Sequence, residues 1–147
     1  MTTAQQIAGF IAKFDPRMAK SIRATRAALR KLFPTAFELV YDNYNFLVFG
    51  FCSTPRASDC IVSLAANSKG LVLSFYWGAT IADPHGLLQG SGSQNRFLRL
   101  EGPATLNERA VRELIRAAVE QGKVPLPASG KGETIVKSIS AKQRPRK

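Results

Sequence analysis

Histidine and tryptophan each occur once in this 147-residue chain and cysteine twice, and each scarcity removes a class of chemistry. With His85 alone there is no histidine metal cluster, and no serine or cysteine motif of nucleophile type stands beside it, so it reads as a solvated loop residue. Cys52 and Cys60 are too few for a disulfide scaffold and suit a reducing compartment, so the expected location is cytoplasmic. Two small buried hydrophobes is the favoured reading of that pair, and a redox couple the minority one. No apolar run approaches the roughly 18 residues needed to span a bilayer, and no basic start leads into an apolar stretch, so neither signal nor membrane insertion is expected.

Acid is scarce too. Aspartate and glutamate total 10 against 21 lysines and arginines, giving a net charge of +11 and a pI near 10.3. The carboxylates Asp42, Asp59 and Asp83 are scattered, so no metal and no cofactor is expected. An excess of cations favours an anionic partner, either a phosphate-bearing ligand or nucleic acid. Arg17, Lys20, Arg23, Arg26, Arg30 and Lys31 fall opposite the apolar face of the second predicted helix, with no acid within that helix to offset them. Lys137, Lys142, Arg144 and Arg146 add a cationic C-terminus without an aromatic to stack a base, a composition suited to nonspecific phosphate contact. Arg23, Arg26, Arg30, Lys137, Lys142, Arg144 and Arg146 are therefore the candidate anion-binding residues.

Length and hydrophobic content fit one domain over 1–140, followed by a basic tail over 141–147. Thr3-x-x-Gln6 has the spacing of a capping box ahead of Ile7, Phe10, Ile11 and Phe14. Asp15 and Pro16 give an N-cap and first-turn proline for a helix over 16–33. Short β-rich runs follow at 37–41, 46–52, 60–65, 71–77 and 96–101, then a helix over 107–121 behind a second capping pattern, Thr105-x-x-Glu108. Alternation at Ile135, Lys137 and Ile139 predicts a last strand. The expected fold is α+β: an antiparallel sheet of five to six strands with two N-terminal helices and one C-terminal helix packed on one face. The apolar run 46–51 predicts a covered second face, either by the 78–95 loop or by a homodimer.

Two loop segments could form a ligand site. Tyr41, Asp42, Asn43 and Tyr44, with Trp77, combine flat rings and a carboxylate as small-molecule pockets do, although the same residues are ordinary turn formers. The second is the loop with Asp83, Gly90, Gly92 and Arg96, where backbone amides near an arginine could cradle an anion. No third glycine stands at Asn95 and no Lys-Ser/Thr pair follows, so neither a dinucleotide loop nor a P-loop is complete. The expectation is a non-enzymatic binding domain holding an anion on its basic surface. The alternative is a small-molecule sensor or enzyme with its pocket at Tyr41, Asp42, Tyr44 and Trp77.

The motifs Asp83-Pro84-x-Gly86-Leu-Leu88-x-Gly90-x-Gly92-x-x-x-Arg96, Glu38-Leu-Val-Tyr-Asp-Asn-Tyr44 and Ile139-Ser-Ala-Lys-Gln-Arg-Pro-Arg146 resemble the YdhG-like (DUF1801) family of small bacterial proteins. The resemblance covers about residues 10–140 and implies an α+β fold with helices against an antiparallel sheet. Through the wider superfamily it also implies a frataxin-like, iron-carrying role as a minor alternative. The basic second helix departs from the acidic surface such a role needs.

Overall fold

The first helix, α1 (Thr3–Ala12), is capped one residue earlier than expected. Thr2 accepts the Gln5 amide at 3.1 Å and the Gln5 side chain accepts the Thr2 amide at 2.8 Å, so the capping box is Thr2–Gln5 rather than Thr3–Gln6. A computed structural model describes residues 1–147 and carries the chain from there into α2 (Pro16–Leu32). Here the sequence signal holds: Asp15 Oδ1 accepts the Met18 amide at 2.9 Å, and Pro16 needs no donor at the first helical position.

Strands β1 (Phe37–Asp42), β2 (Leu47–Cys52), β3 (Cys60–Asn67), β4 (Gly70–Phe75) and β5 (Arg96–Leu100) form an antiparallel meander. Thr105 caps no helix: residues Pro103–Asn107 form a 3-10 turn, and α3 (Arg109–Gln121) starts beyond Glu108. The last strand, β6 (Thr134–Ile139), joins the opposite edge, giving the order β5-β4-β3-β2-β1-β6. It lies parallel to β1, which corrects the expectation of an all-antiparallel sheet. The intervening helix explains this: a crossover returns the chain to the same end of the sheet, so the next strand runs in the same direction as β5 and β1.

All three helices pack on one sheet face. Ile7, Phe10 and Ile11 of α1, Ile22 and Leu29 of α2, and Val111, Leu114 and Ile115 of α3 share a core with Val40, Phe49, Phe51, Val62, Leu64, Leu73, Phe75 and Leu98. Ile81, Leu87 and Leu88 pack on that same core, so the 78–95 loop supplements the helices and leaves the other face uncovered. That face is handled by size. Across its middle row Leu39 pairs with Gly50, Gly50 with Ser63, Ser63 with Ser74 and Ser74 with Phe97, so small and hydroxylated side chains occupy the centre.

Candidate functional site

Successive strand residues point to opposite faces, and this splits the Tyr41–Asp42 pair. Asp42 points to the helix side, where its carboxylate is fully buried. Its Oδ2 lies 2.5 Å from Lys13 Nζ and its Oδ1 2.9 Å from Arg146 Nη2. Gln143 completes the clasp, donating to the Asp42 carbonyl at 2.8 Å and accepting from Lys13 at 2.7 Å. Burial pushes the Asp42 pKa up, but hydrogen bonds from Lys13, Arg146 and Gln143, with the Lys13 charge, outweigh it and hold the carboxyl below its usual range. Asp42 is thus an anchor for the chain end.

The C-terminal residues are correspondingly docked. The Arg144 amide donates to the Tyr44 carbonyl at 2.9 Å and its guanidinium stacks 5.5 Å from the Tyr44 ring centre. Arg146 is 4 % exposed and also donates to the Asn43 carbonyl at 2.6 Å. Its Nε and Nη1 are buried without a partner, so its hydrogen bonds go to Asp42 and Asn43 alone, with the Phe14 ring centre 5.9 Å from the guanidinium. Arg146 is therefore withdrawn from anion binding, a correction to its place in the cationic surface. Arg26 is withdrawn in the same way by a bidentate pair with buried Glu38, at 2.8 Å and 2.7 Å. The basic face of α2 is offset here by an acid on another element.

The other proposed pocket residues do not converge. Tyr41 lies on the uncovered sheet face beside Cys52, Cys60 and Tyr76, while Tyr44 and Asn43 sit in the β1–β2 turn. Trp77 follows the end of β4 that aligns, through Phe75, Val62 and Phe51, with Glu38 at the far end of β1. Six residues of strand separate that level from Tyr44, about 20 Å at 3.3 Å per residue. Trp77 Nε1 donates to the Ser58 carbonyl at 3.0 Å.

The glycine loop is structural. Both Asp83 oxygens accept backbone amides, those of Leu87 and Leu88, at 2.9 Å each. Arg96 Nη1 donates to the carbonyls of Gly92 and of Asn95, which ties the guanidinium back onto its own loop. Gly90 takes φ +111° where Gln89 and Phe97 pair, and Gly92 contributes its carbonyl. His85 lies in the neighbouring exposed loop, 3.9 Å from Glu113.

An open groove of about 560 Å³ lies elsewhere, between the end of α2 and the segment 130–134. Arg30, Lys31 and Lys131 line it, over a floor that includes Phe33 and Phe51, whose rings stack at 5.9 Å. Its one acid, Glu38, is held by Arg26 and by the Thr134 hydroxyl at 2.9 Å. The amides of Gly130, Lys131 and Gly132 donate to no backbone acceptor. The C-terminus of α2 contributes roughly half a negative charge, which two full charges in its last turn and Lys131 more than reverse. Of the candidate cations only Arg30 reaches this groove; Arg23, Lys137, Lys142 and Arg144 are exposed elsewhere. Lys131 and the two phenylalanines were not singled out by the sequence, where Gly130-Lys131-Gly132 was the one available signal. No group of three or more histidine, cysteine, aspartate or glutamate side chains is placed to hold a metal. No helix is long and apolar enough to cross a membrane. Comparison with protein-family models, characterised proteins and solved structures gives no match.

Proposed function

We propose that this chain is a cytoplasmic binding domain that holds a small phosphate-bearing ligand in the groove between α2 and residues 130–134. The observation that carries the reading is the convergence of Arg30, Lys31 and Lys131 on one concavity whose only carboxylate is already neutralised by Arg26. Three cations, each contributing about 1–4 kcal/mol at 4 Å between bulk-water and near-surface dielectric, suffice for millimolar to micromolar phosphate affinity. A groove of this size takes a compact phosphate ester more naturally than a duplex, which needs a long basic track. Kinship with the YdhG-like family is part of the same proposal and rests on the motifs at 38–44, 83–96 and 139–146. An iron-carrying role has no donor set to support it.

The test is calorimetric titration of the full chain with inorganic phosphate, pyrophosphate and adenosine monophosphate at low and physiological salt. Lys131→Glu and Arg30→Glu are each expected to weaken binding at least tenfold, about 1.4 kcal/mol. Both should leave Tm nearly unchanged, because neither side chain is buried. Unchanged affinity in both variants would remove the groove from the reading. Duplex DNA bound equally by wild type and Lys131→Glu, with no phosphate binding, would transfer the function to a nucleic-acid surface elsewhere.

A further inference from the structure

Cys52 and Cys60 lie outside the groove and serve no part of the proposed binding. They are direct partners across β2 and β3, at a bulge where the register shifts between Phe51 and Cys52. Opposed residues of an antiparallel pair have Cα atoms about 4.5–5.5 Å apart, within the roughly 4.4–6.8 Å that a disulfide spans. The two thiols pack together with Leu39 in a small cluster on the uncovered sheet face, flanked by Tyr41, Tyr76 and Ile135. Both are free.

We propose that Cys52 and Cys60 are a peroxide-reactive dithiol that closes to a reversible cross-strand disulfide.

The two sulfurs are not equivalent. Cys60 Sγ lies 3.3 Å from the Ser63 hydroxyl. Hydrogen bonding from the Cys52 thiol, against the opposing effect of burial, and from Ser63 and the Phe51 amide lowers the Cys60 pKa. Donating to Cys60, and burial, push the Cys52 thiol up. Cys60, the more exposed of the two and the one with the Ser63 hydroxyl beside it, is the sulfur that reacts first, and Cys52 the one that resolves. The Cys60 thiolate attacks one peroxide oxygen, the O–O bond breaks, and the departing hydroxide takes a proton to leave as water, giving a sulfenic acid. The Cys52 sulfur then attacks the Cys60 sulfur. Its proton leaves with the sulfenic hydroxyl as a second water, and the S–S bond remains. The thiols lose two electrons and the peroxide gains them.

Access sets the size of the oxidant. Cys60 is 7 % and Cys52 1 % exposed. Gly50 carries no side chain over the reactive sulfur, and the gap it leaves is narrow, since a Cβ there would stand 3.3 Å from both Cys60 Sγ and Ser63 Oγ. A sulfur so enclosed is within reach only of a small oxidant such as hydrogen peroxide, and oxidised glutathione is too large to reach it.

The experiment treats the intact chain with hydrogen peroxide, then denatures, alkylates and weighs it. The expected product is a monomer lighter by two hydrogens that takes up no alkylating agent, and dithiothreitol should restore both alkylation sites. Two alkylated thiols after peroxide, sulfinic acid at either cysteine, or a disulfide-linked dimer would overturn the proposal. Oxidised glutathione should leave the folded chain unmodified, and a glutathione adduct would overturn the access argument. In Cys52→Ser, dimedone should trap a sulfenic acid at Cys60; trapping at Cys52 in Cys60→Ser instead would reverse the order of attack. The wild-type masses decide the disulfide even where a variant folds poorly.

Discussion

Replacing Asp42 by alanine is expected to lower stability by about 3–5 kcal/mol, the cost of breaking a buried ion pair from one side. For a domain of this size that is roughly 10 °C or more in Tm. The effect is large because the loss falls on Arg146. Arg146 is 4 % exposed, two of its nitrogens already lack partners, and without Asp42 only the Asn43 carbonyl and the face of the Phe14 ring remain to a buried full charge. Lys13, 41 % exposed at its side chain, can turn to water and loses little. The chain end is then expected to detach, carrying with it the Gln143 and Arg144 contacts. A chain ending at Ser140 should lose less, since it removes the stranded cation and leaves Asp42 paired with Lys13. An Asp42→Ala protein melting within about 2 °C of wild type, less than 1 kcal/mol by the same scale, would show that the clasp holds nothing together.

The same clasp fixes a pH dependence. The folded pKa of Asp42 lies below the unfolded carboxylate value of about 3.9, so the pair's contribution is complete above that value and is lost as pH falls through the folded pKa. The Tm gap between wild type and Asp42→Ala should therefore be constant from neutral pH down to about 5 and shrink below about 4. A gap that widened on acidification would mean that the carboxyl is protonated, and hydrogen-bonded as such, at neutral pH.

Local signals read well in this sequence and long-range ones do not. Asp15 and Pro16 start a helix because cap and first turn are neighbours in the chain, and short apolar or alternating runs between turn residues locate all six strands within a few residues. The two threonine capping patterns mislead for a local reason. Thr2 competes one residue earlier at α1, and Pro103 nucleates a 3-10 turn that places Thr105 inside it. What the chain hides is partnership. Arg26 and Glu38 are 12 positions apart, Lys13 and Asp42 29, and Asp42 and Arg146 104, so charge periodicity along one helix could not reveal which cations were already spent. The groove is hidden by the same rule, because Arg30 and Lys131 meet only once β6 has crossed to the far edge of the sheet. Val136, in register with Val40, faces the core while Ile135 takes the other face, and beyond the bulge that follows them Ile139 is 52 % exposed, where simple alternation placed Ile135 and Ile139 together.

Gly132→Ala is expected to be the most damaging single methyl in the chain. A Cβ at Gly132 would fall 1.6 Å from the Ala36 carbonyl oxygen and 2.3 Å from its carbon, both backbone atoms with no side chain to swing aside. The lead into β6 must then retreat from β1 by roughly 2 Å to reach ordinary van der Waals separation. That movement breaks the Glu38 amide to Glu133 carbonyl bond at 2.9 Å and strains the Thr134 to Glu38 contact. Overpacking against backbone costs about 3 kcal/mol at the upper end of its usual range, and the lost strand-edge hydrogen bonds add to it. Gly130 provides the contrast. It has nothing within 4 Å of its Cβ position but a φ of +88°, so Gly130→Ala should cost only the left-handed penalty of about 1–2 kcal/mol. The two variants also separate stability from binding, since Gly132→Ala displaces Lys131 from Arg30 and Gly130→Ala leaves the groove its width. At a temperature where both remain folded, phosphate affinity should fall at least tenfold in Gly132→Ala, about 1.4 kcal/mol, and much less in Gly130→Ala. Equal affinities, with Gly132→Ala destabilised as expected, would mean that the packing is right and the ligand sits elsewhere. Equal stabilities would mean that the approach of Gly132 to Ala36, on which the groove's geometry depends, is itself wrong.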